Sequence, residues 1–138
     1  MSTLMLSPHF SASEAMCKCC HAYIPDHAIA LAQRLERARD HCGPIIVRSW
    51  HRCAARNRKV GGVPNSAHLR SYAVDIFTAS SAHRFQLVSA LLAAGFSRIG
   101  IGSSIVHADI DPSLPSGFIW TYYSDENRTG GPFEPRFA

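Results

Sequence analysis

Apolar and polar residues recur along this chain with two different periods, and the switches between them mark its elements. Ser11-Ala12-Ser13-Glu14 reads as a capping box that starts a short helix. Asp26 is placed to cap a longer helix, whose Ile29, Leu31, Leu35 and Ala38 recur at near-helical spacing until Gly43-Pro44 ends it. Ile45-Ile46-Val47 opens a buried strand leading to Ser49-Trp50-His51-Arg52, and a short basic helix is predicted over Cys53 to Val60. Gly61-Gly62-Val63-Pro64-Asn65 concentrates turn formers and reads as a loop. Tyr72 to Thr78 is a second strand. Ser80 or Ser81 then caps a helix running through Ala94 to Gly95, with Phe85, Val88, Leu91 and Leu92 as its apolar face. Strands over Arg98 to Ile101 and Ile105 to Ile110 flank the tight Gly102-Ser103-Ser104 turn, and a last strand covers Phe118 to Tyr123. The pattern predicts an α+β fold, a small and mostly antiparallel sheet flanked by helices. With no repeat or linker, residues 1–138 read as a single domain with its core at about 7–123 and an irregular tail over 124–138.

Composition narrows the class. A chain of 138 residues, 46% hydrophobic and 17% charged, can bury a real core and is neither disordered nor fibrous. A formal net charge of +4 favours anionic partners. The basic residues are scattered without a Lys/Arg block, however, so no nucleic-acid partner is expected. No apolar run approaches the length of about 20 residues needed to span a bilayer. The segment MSTLMLSPHF lacks the features of a secretory signal, so a cytoplasmic location at synthesis is expected.

Cys17, Cys19, Cys20, Cys42 and Cys53 are odd in number, so they cannot all pair within one chain. The run Cys17-Lys18-Cys19-Cys20-His21 suggests zinc, but no second ligand pair recurs downstream. Free thiols or one local disulfide are the plainer reading. Cys42 or Cys53 could complete a site only if the fold brings one close.

His68, Asp75 and His107 carry the candidate chemistry. Imidazole and carboxylate are the usual ligands of a catalytic zinc, which takes three from the protein and leaves a position open. His68 ends the Gly/Pro loop, where backbone can aim a side chain into a cleft. Asp75 sits between Val74 and Ile76 on a predicted strand, where a buried carboxylate needs a cation or donors. Alternation puts His107 and Asp109 on one face of their strand and Val106, Ala108 and Ile110 on the other. Residue type and spacing alone also allow a surface His68, with Asp75 and the His107–Asp109 pair satisfied structurally.

The segment Ser66-Ala67-His68-Leu69-Arg70-Ser71-Tyr72-Ala73-Val74-Asp75-Ile76 resembles the S-x-H-x-x-G-x-A-x-D-[IL] motif of the M15 peptidases. These are zinc carboxypeptidases and endopeptidases of bacterial wall peptides, and the hedgehog signalling domain shares their fold. Ser49-Trp50-His51-Arg52 is similar to the family's S-x-Y-R segment, and Asn57 with Gly61 to Ser66 to its N-x-x-x-G-G-x-x-x-S stretch. Val106-His107-Ala108-Asp109-Ile110 resembles V-H-x-D-[VI], and Trp120-Thr121-Tyr122 resembles the closing W-x-Y of the M15A-like branch. Phe10 to Glu14 is similar to the opening F-x-x-x-E.

The resemblance implies a D-alanyl-D-alanine carboxypeptidase-like fold, a zinc ion on His68, Asp75 and His107, and peptidoglycan peptides as substrate. It implies that Arg52 binds the substrate carboxylate or polarises the scissile carbonyl, with Ser66 beside it in substrate binding. An enzyme of this class would reach the wall by export, by release at lysis or in a virion. Three positions depart from the pattern: Ser71 stands at the motif glycine, His51 at the tyrosine before the arginine, and Ser104 where relatives have Glu or Asp. The general base is therefore assigned to Asp109, which could instead orient His107. His51 and Glu14 are next in line. A catalytically weak, zinc-containing binding module of the same fold is the alternative.

Overall fold

Ser11 starts the first helix as its motif dictates. Its hydroxyl accepts from the Glu14 amide, and the Glu14 carboxylate accepts from the Ser11 amide. In the computed structural model, which describes residues 4–122, this helix α1 (Ala12–Ala15) follows a small hairpin of β1 (Met5–Ser7) and β2 (Phe10–Ser11). Helix α2 (Pro25–Cys42) begins two residues earlier than an Asp26 cap predicts. Pro25 takes the first position, where its missing N–H costs nothing, so Asp26 falls inside the first turn instead of capping it. Gly43 closes α2 at a φ of 81°. Then come β3 (Val47–Ser49), α3 (Ala54–Lys59), a 3-10 turn (Ala67–Arg70), β4 (Ala73–Phe77) and α4 (Ser81–Ala93), which Ser80 caps. The last strands are β5 (Arg98–Ile101), β6 (Ile105–Asp109) and β7 (Phe118–Thr121). The tail expected over 124–138 lies outside the described residues.

Five strands form the main sheet in the order β3-β4-β6-β5-β7. Pairing is antiparallel except between β5 and β7, which run parallel. The fold is thus α+β as predicted, with a mixed main sheet. Val74, Ile76, Ile99, Val106 and Ala108 bury one face against Leu31 and Leu35 of α2 and Leu87 and Leu91 of α4. The apolar face predicted for α4 is rotated: Phe85 and Leu92 are exposed, while Leu87, Ala90, Leu91 and Ala94 are buried. Apolar residues surround most of this helix, so the small Ala90 and Ala94 could define the packed stripe as well as the larger side chains could.

Alternation sends the intervening side chains to the other face. Asp75 lies opposite His107, Gly100 opposite both His107 and Trp120, and Arg98 on the strand beside Asp109. Every functional group on these strands therefore shares one side of the sheet. Gly100 is required there: a Cβ would fall 2.6 Å from Trp120 Nε1 and 2.7 Å from Tyr122 Cε2, so only glycine lets both rings lie across β5.

Candidate metal centre

Cross-strand register brings Asp75 and His107 together, and the 3-10 turn brings His68 over them. His68 Nε2 and His107 Nδ1 each stand 3.2 Å from Asp75 Oδ1. The far nitrogens of both rings are engaged. His68 Nδ1 lies 2.6 Å from the Trp50 carbonyl, an acceptor only, so it carries the proton. His107 Nε2 donates to Asp109 Oδ2 at 2.8 Å. With both rings neutral, two nitrogen lone pairs and a carboxylate oxygen converge with no proton among them. Three acceptors in van der Waals contact repel unless a cation lies between, so this donor set fits a divalent metal.

Electrostatics move the two rings in opposite directions. Burial opposes the charge of Asp75, yet the neighbouring rings hold its carboxyl well below the usual carboxylate range. Burial pushes His68 down, which favours the neutral, ligating form. Burial also opposes a charge on His107, but hydrogen bonding to Asp109 and Asp75 outweighs it and raises the ring.

Asp109 is buried at 1% exposure and behind the site. Its Oδ1 accepts from Arg98 Nε at 2.8 Å and from the Asp111 amide at 3.2 Å, while Oδ2 holds His107. The carboxylate thus faces the ring nitrogen that points away from Asp75. This is the geometry of a group that orients His107, the alternative role weighed for Asp109. Ser66 departs from expectation. It is fully buried, and its hydroxyl accepts from the His68 amide at 3.1 Å and from Arg52 Nη2 at 3.3 Å. It braces the cleft from behind, where no substrate could reach it.

Arg52 enters the cleft itself. Its amide donates to the His68 carbonyl at 3.0 Å, fixing it beside the candidate ligands, and its Nε is buried without a hydrogen-bond partner among the described residues. The cleft, about 430 Å³, is lined by Arg52, His68, Asp75, His107 and Tyr122, with a rim from Gly61 to Val63 and from Gly102 to Ser103. Burial, and then the Asp75 charge, push the Tyr122 phenol well above its usual range, so it is a neutral donor. Asp75 is the only carboxylate among the described residues lining the cleft. Ser104 is exposed and outside it, and His51 and Glu14 line a separate groove with Arg48 and Lys18.

The two other unusual positions touch each other. Ser71 adopts φ 63° and ψ 14°, a left-handed conformation that glycine takes without strain. Its hydroxyl accepts from the Ile24 amide at 2.8 Å and is hydrogen-bonded to His51 Nδ1 at 2.7 Å. Its carbonyl accepts from Trp50 Nε1 at 3.0 Å. A serine here is compensated by the histidine that stands in place of the tyrosine.

Sequence reasoning missed Arg98, which holds Asp109 from the neighbouring strand, and Trp50, whose carbonyl fixes His68. It missed the clamp of Arg70 as well, which binds Asp111 and the Asn65 carbonyl and so shapes the His68 turn. Strand alternation puts Arg98 on the face of Asp109, a signal that was available; a main-chain acceptor such as Trp50 leaves none.

A carboxylate and two imidazoles converging beside a cleft that the half-buried Arg52 enters are a donor set that could hold a single metal ion of the kind hydrolases use. The sequence profile of the Peptidase M15 family matches residues 8–111, and the chain belongs to that family of metal-dependent peptidases. No curated protein matches the sequence. Among the described residues no helix is long and apolar enough to cross a membrane.

Proposed function

We propose that this chain is a zinc peptidase that hydrolyses peptide bonds in bacterial peptidoglycan, as a D,D-carboxypeptidase or an endopeptidase of stem or cross-link peptides. The convergence of His68, Asp75 and His107 at one end of a cleft that Arg52 enters carries this reading. A zinc ion held by those three residues would supply a Lewis acid for the scissile carbonyl and acidify a water to a pKa of about 7.

The chain's own groups do the rest. Arg52 offers a fixed, always charged fork to a substrate carboxylate or to the oxygen that gains charge. Tyr122 offers a neutral phenol hydrogen to the same region. Asp109, gripped by Arg98, keeps the proton of His107 on Nε2 and its lone pair toward the metal. Gly61 to Val63 complete the cleft lining, and the net charge of +4 favours adsorption to anionic wall polymers.

One observation favours a second reading. A second carboxylate is missing from the described cleft lining, so a slow enzyme or a zinc-containing binding module of the same fold would have the same geometry. Turnover on purified muropeptides decides between them. Mass spectrometry should detect loss of a D-alanine residue or opening of a cross-link, and both should vanish in His107→Ala. Tight muropeptide binding without zinc-dependent cleavage would overturn the enzymatic reading.

A further inference from the structure

A second cluster of metal-ligating side chains lies outside the cleft. The fold carries Cys53, at the start of α3, to the Cys17–Cys20 turn, and the sulfurs of Cys17, Cys19, Cys20 and Cys53 all lie within 4.8 Å of one another. Cys17 Sγ is 3.5 Å from Cys19 Sγ, which is 3.2 Å from Cys53 Sγ. Four sulfurs held about 2.3 Å from a zinc ion form a tetrahedron with edges of about 3.8 Å, the scale seen here. A disulfide would engage two of these thiols and leave the other two pressed against it.

The backbone is arranged around the same point. The Cys17 amide donates to the Ala22 carbonyl and the His21 amide to the Cys17 carbonyl, both at 2.8 Å, and His21 turns left-handed at φ 63°. This tight turn gathers the sulfurs of buried Cys17 and exposed Cys19 and Cys20 at one place. Main-chain amides then point at two of them: the Cys53 amide at Cys17 Sγ and the Arg56 amide at Cys53 Sγ, each at 3.4 Å. Such donors stabilise thiolates, the form that binds metal. A zinc tetrathiolate carries two negative charges, and Lys18, Arg48, Arg52 and Arg56 line the adjoining groove. Cys42, at the end of α2, stands apart with its thiol toward the Gly43 carbonyl, which accounts for the odd cysteine.

We infer that Cys17, Cys19, Cys20 and Cys53 bind a structural zinc ion that staples the segment after α1 to the chain between β3 and α3. Its closed set of four protein ligands leaves no position for substrate. Cys53 follows Arg52 directly and caps α3, which leads into the Gly61 to Val63 rim. The staple therefore also positions Arg52, a consequence that rests on the peptidase reading, whereas the metal site does not.

The test uses the full chain purified under reducing conditions with zinc supplied. His68→Ala/His107→Ala removes the cleft ligands, and that protein should retain close to one zinc per chain by elemental analysis. Adding Cys19→Ser and Cys53→Ser should remove it. Loading the His68→Ala/His107→Ala protein with cobalt(II) should give the thiolate-to-metal charge-transfer bands of a tetrahedral sulfur site, which reads the cysteines without mutating them if the serine variants fail to fold. Loss of all metal on removing the two histidines would overturn the cysteine site while supporting His68 and His107 as the ligands of the cleft metal. So would a Cys19–Cys53 disulfide found by mass spectrometry, or zinc that persists in the serine variant. Wild-type protein with zinc only on the cysteines would support this site and sink the cleft reading instead.

Discussion

Asp109→Asn separates what a carboxylate does behind His107 from what a general base would do. The native carboxylate serves three donors with its two oxygens, Arg98 Nε–H at 2.8 Å and the Asp111 amide at 3.2 Å on Oδ1, and His107 Nε2–H at 2.8 Å on Oδ2. An amide has one oxygen. Arg98 is 2% exposed and always charged, so the oxygen goes to Arg98 and the NH2 group turns to His107. A ring nitrogen facing an N–H must accept, so the His107 proton moves to Nδ1, the nitrogen that faces Asp75. The lone pair available to the metal is lost.

The magnitudes follow from burial. Replacing the group that orients a metal-bound histidine typically weakens metal affinity about 10–100-fold. Removing the Asp109 charge from beside buried Arg98 costs up to about 3–5 kcal/mol, moderated by the contacts Arg98 keeps, among them its Nη1 donating to the Pro115 carbonyl at 2.6 Å. For a chain of this size, 3 kcal/mol corresponds to a Tm lower by about 10 °C in the metal-free protein. Zinc Kd measured by chelator competition and the apo Tm by calorimetry check both figures, and the ring proton resonances of His107 report the tautomer directly. An unchanged zinc Kd with a native tautomer would refute the reasoning. Full zinc binding with turnover down about 100-fold or more would return the base role to Asp109.

Arg52→Lys keeps the charge but loses the fork, so muropeptide turnover should fall about tenfold or more with an unchanged circular dichroism spectrum; wild-type rates would remove Arg52 from the site. Gly100→Ala drives a Cβ into Trp120 and Tyr122 and should cost about 1–3 kcal/mol, read as a lower urea midpoint at constant m-value; an unchanged midpoint would contradict the close approach. Ser71→Gly relieves a left-handed serine worth about 1–2 kcal/mol, but it strands the Ile24 amide at a cost of about 1–3 kcal/mol. The net effect on Tm should thus be small or unfavourable. A double-mutant cycle with His51→Tyr should show coupling of about 0.5 kcal/mol or more, and strict additivity would mean that the Ser71–His51 contact carries no energy.

Which parts of this site were legible depended on how far each signal reaches along the chain. His68, Asp75 and His107 were legible as residue types in an ordered motif, and period-two alternation correctly set His107 and Asp109 on one face. Alternation could not say which imidazole nitrogen Asp109 meets, because that depends on ring rotation fixed by Arg98 from another strand. Ser66 looked like a substrate residue because it opens the His68 segment, yet its hydroxyl is consumed by that segment's own turn. The rotated face of α4 and the parallel pairing of β7 are tertiary choices, since Phe85 and Leu87 are equally apolar and a strand's partner is not written in its own residues. Cys53 lies 34 residues from Cys19, beyond any local spacing rule, and only the fold joins them.

The cleft places its strongest demands on one sheet face, and the fold answers them from the residues behind. Holding Asp75 beside two neutral imidazoles is costly, because desolvation and acceptor–acceptor repulsion both oppose it. The Trp50 carbonyl and the Asp109–Arg98 pair prevent the easy escape, which is to rotate or reprotonate the rings. If the proposed zinc binds there, a site preorganised in this way would be tense without the ion and relaxed with it, so the ion would contribute to the fold as well as to the chemistry. Free zinc at 100 times its Kd would add about 2.7 kcal/mol to stability. That linkage explains why a small sheet can keep three acceptors converging on its surface-facing side. In the proposed peptidase the catalytic burden would fall on Arg52 and Tyr122, which share the cleft with His68, Asp75 and His107, since no second carboxylate among the described residues lines it.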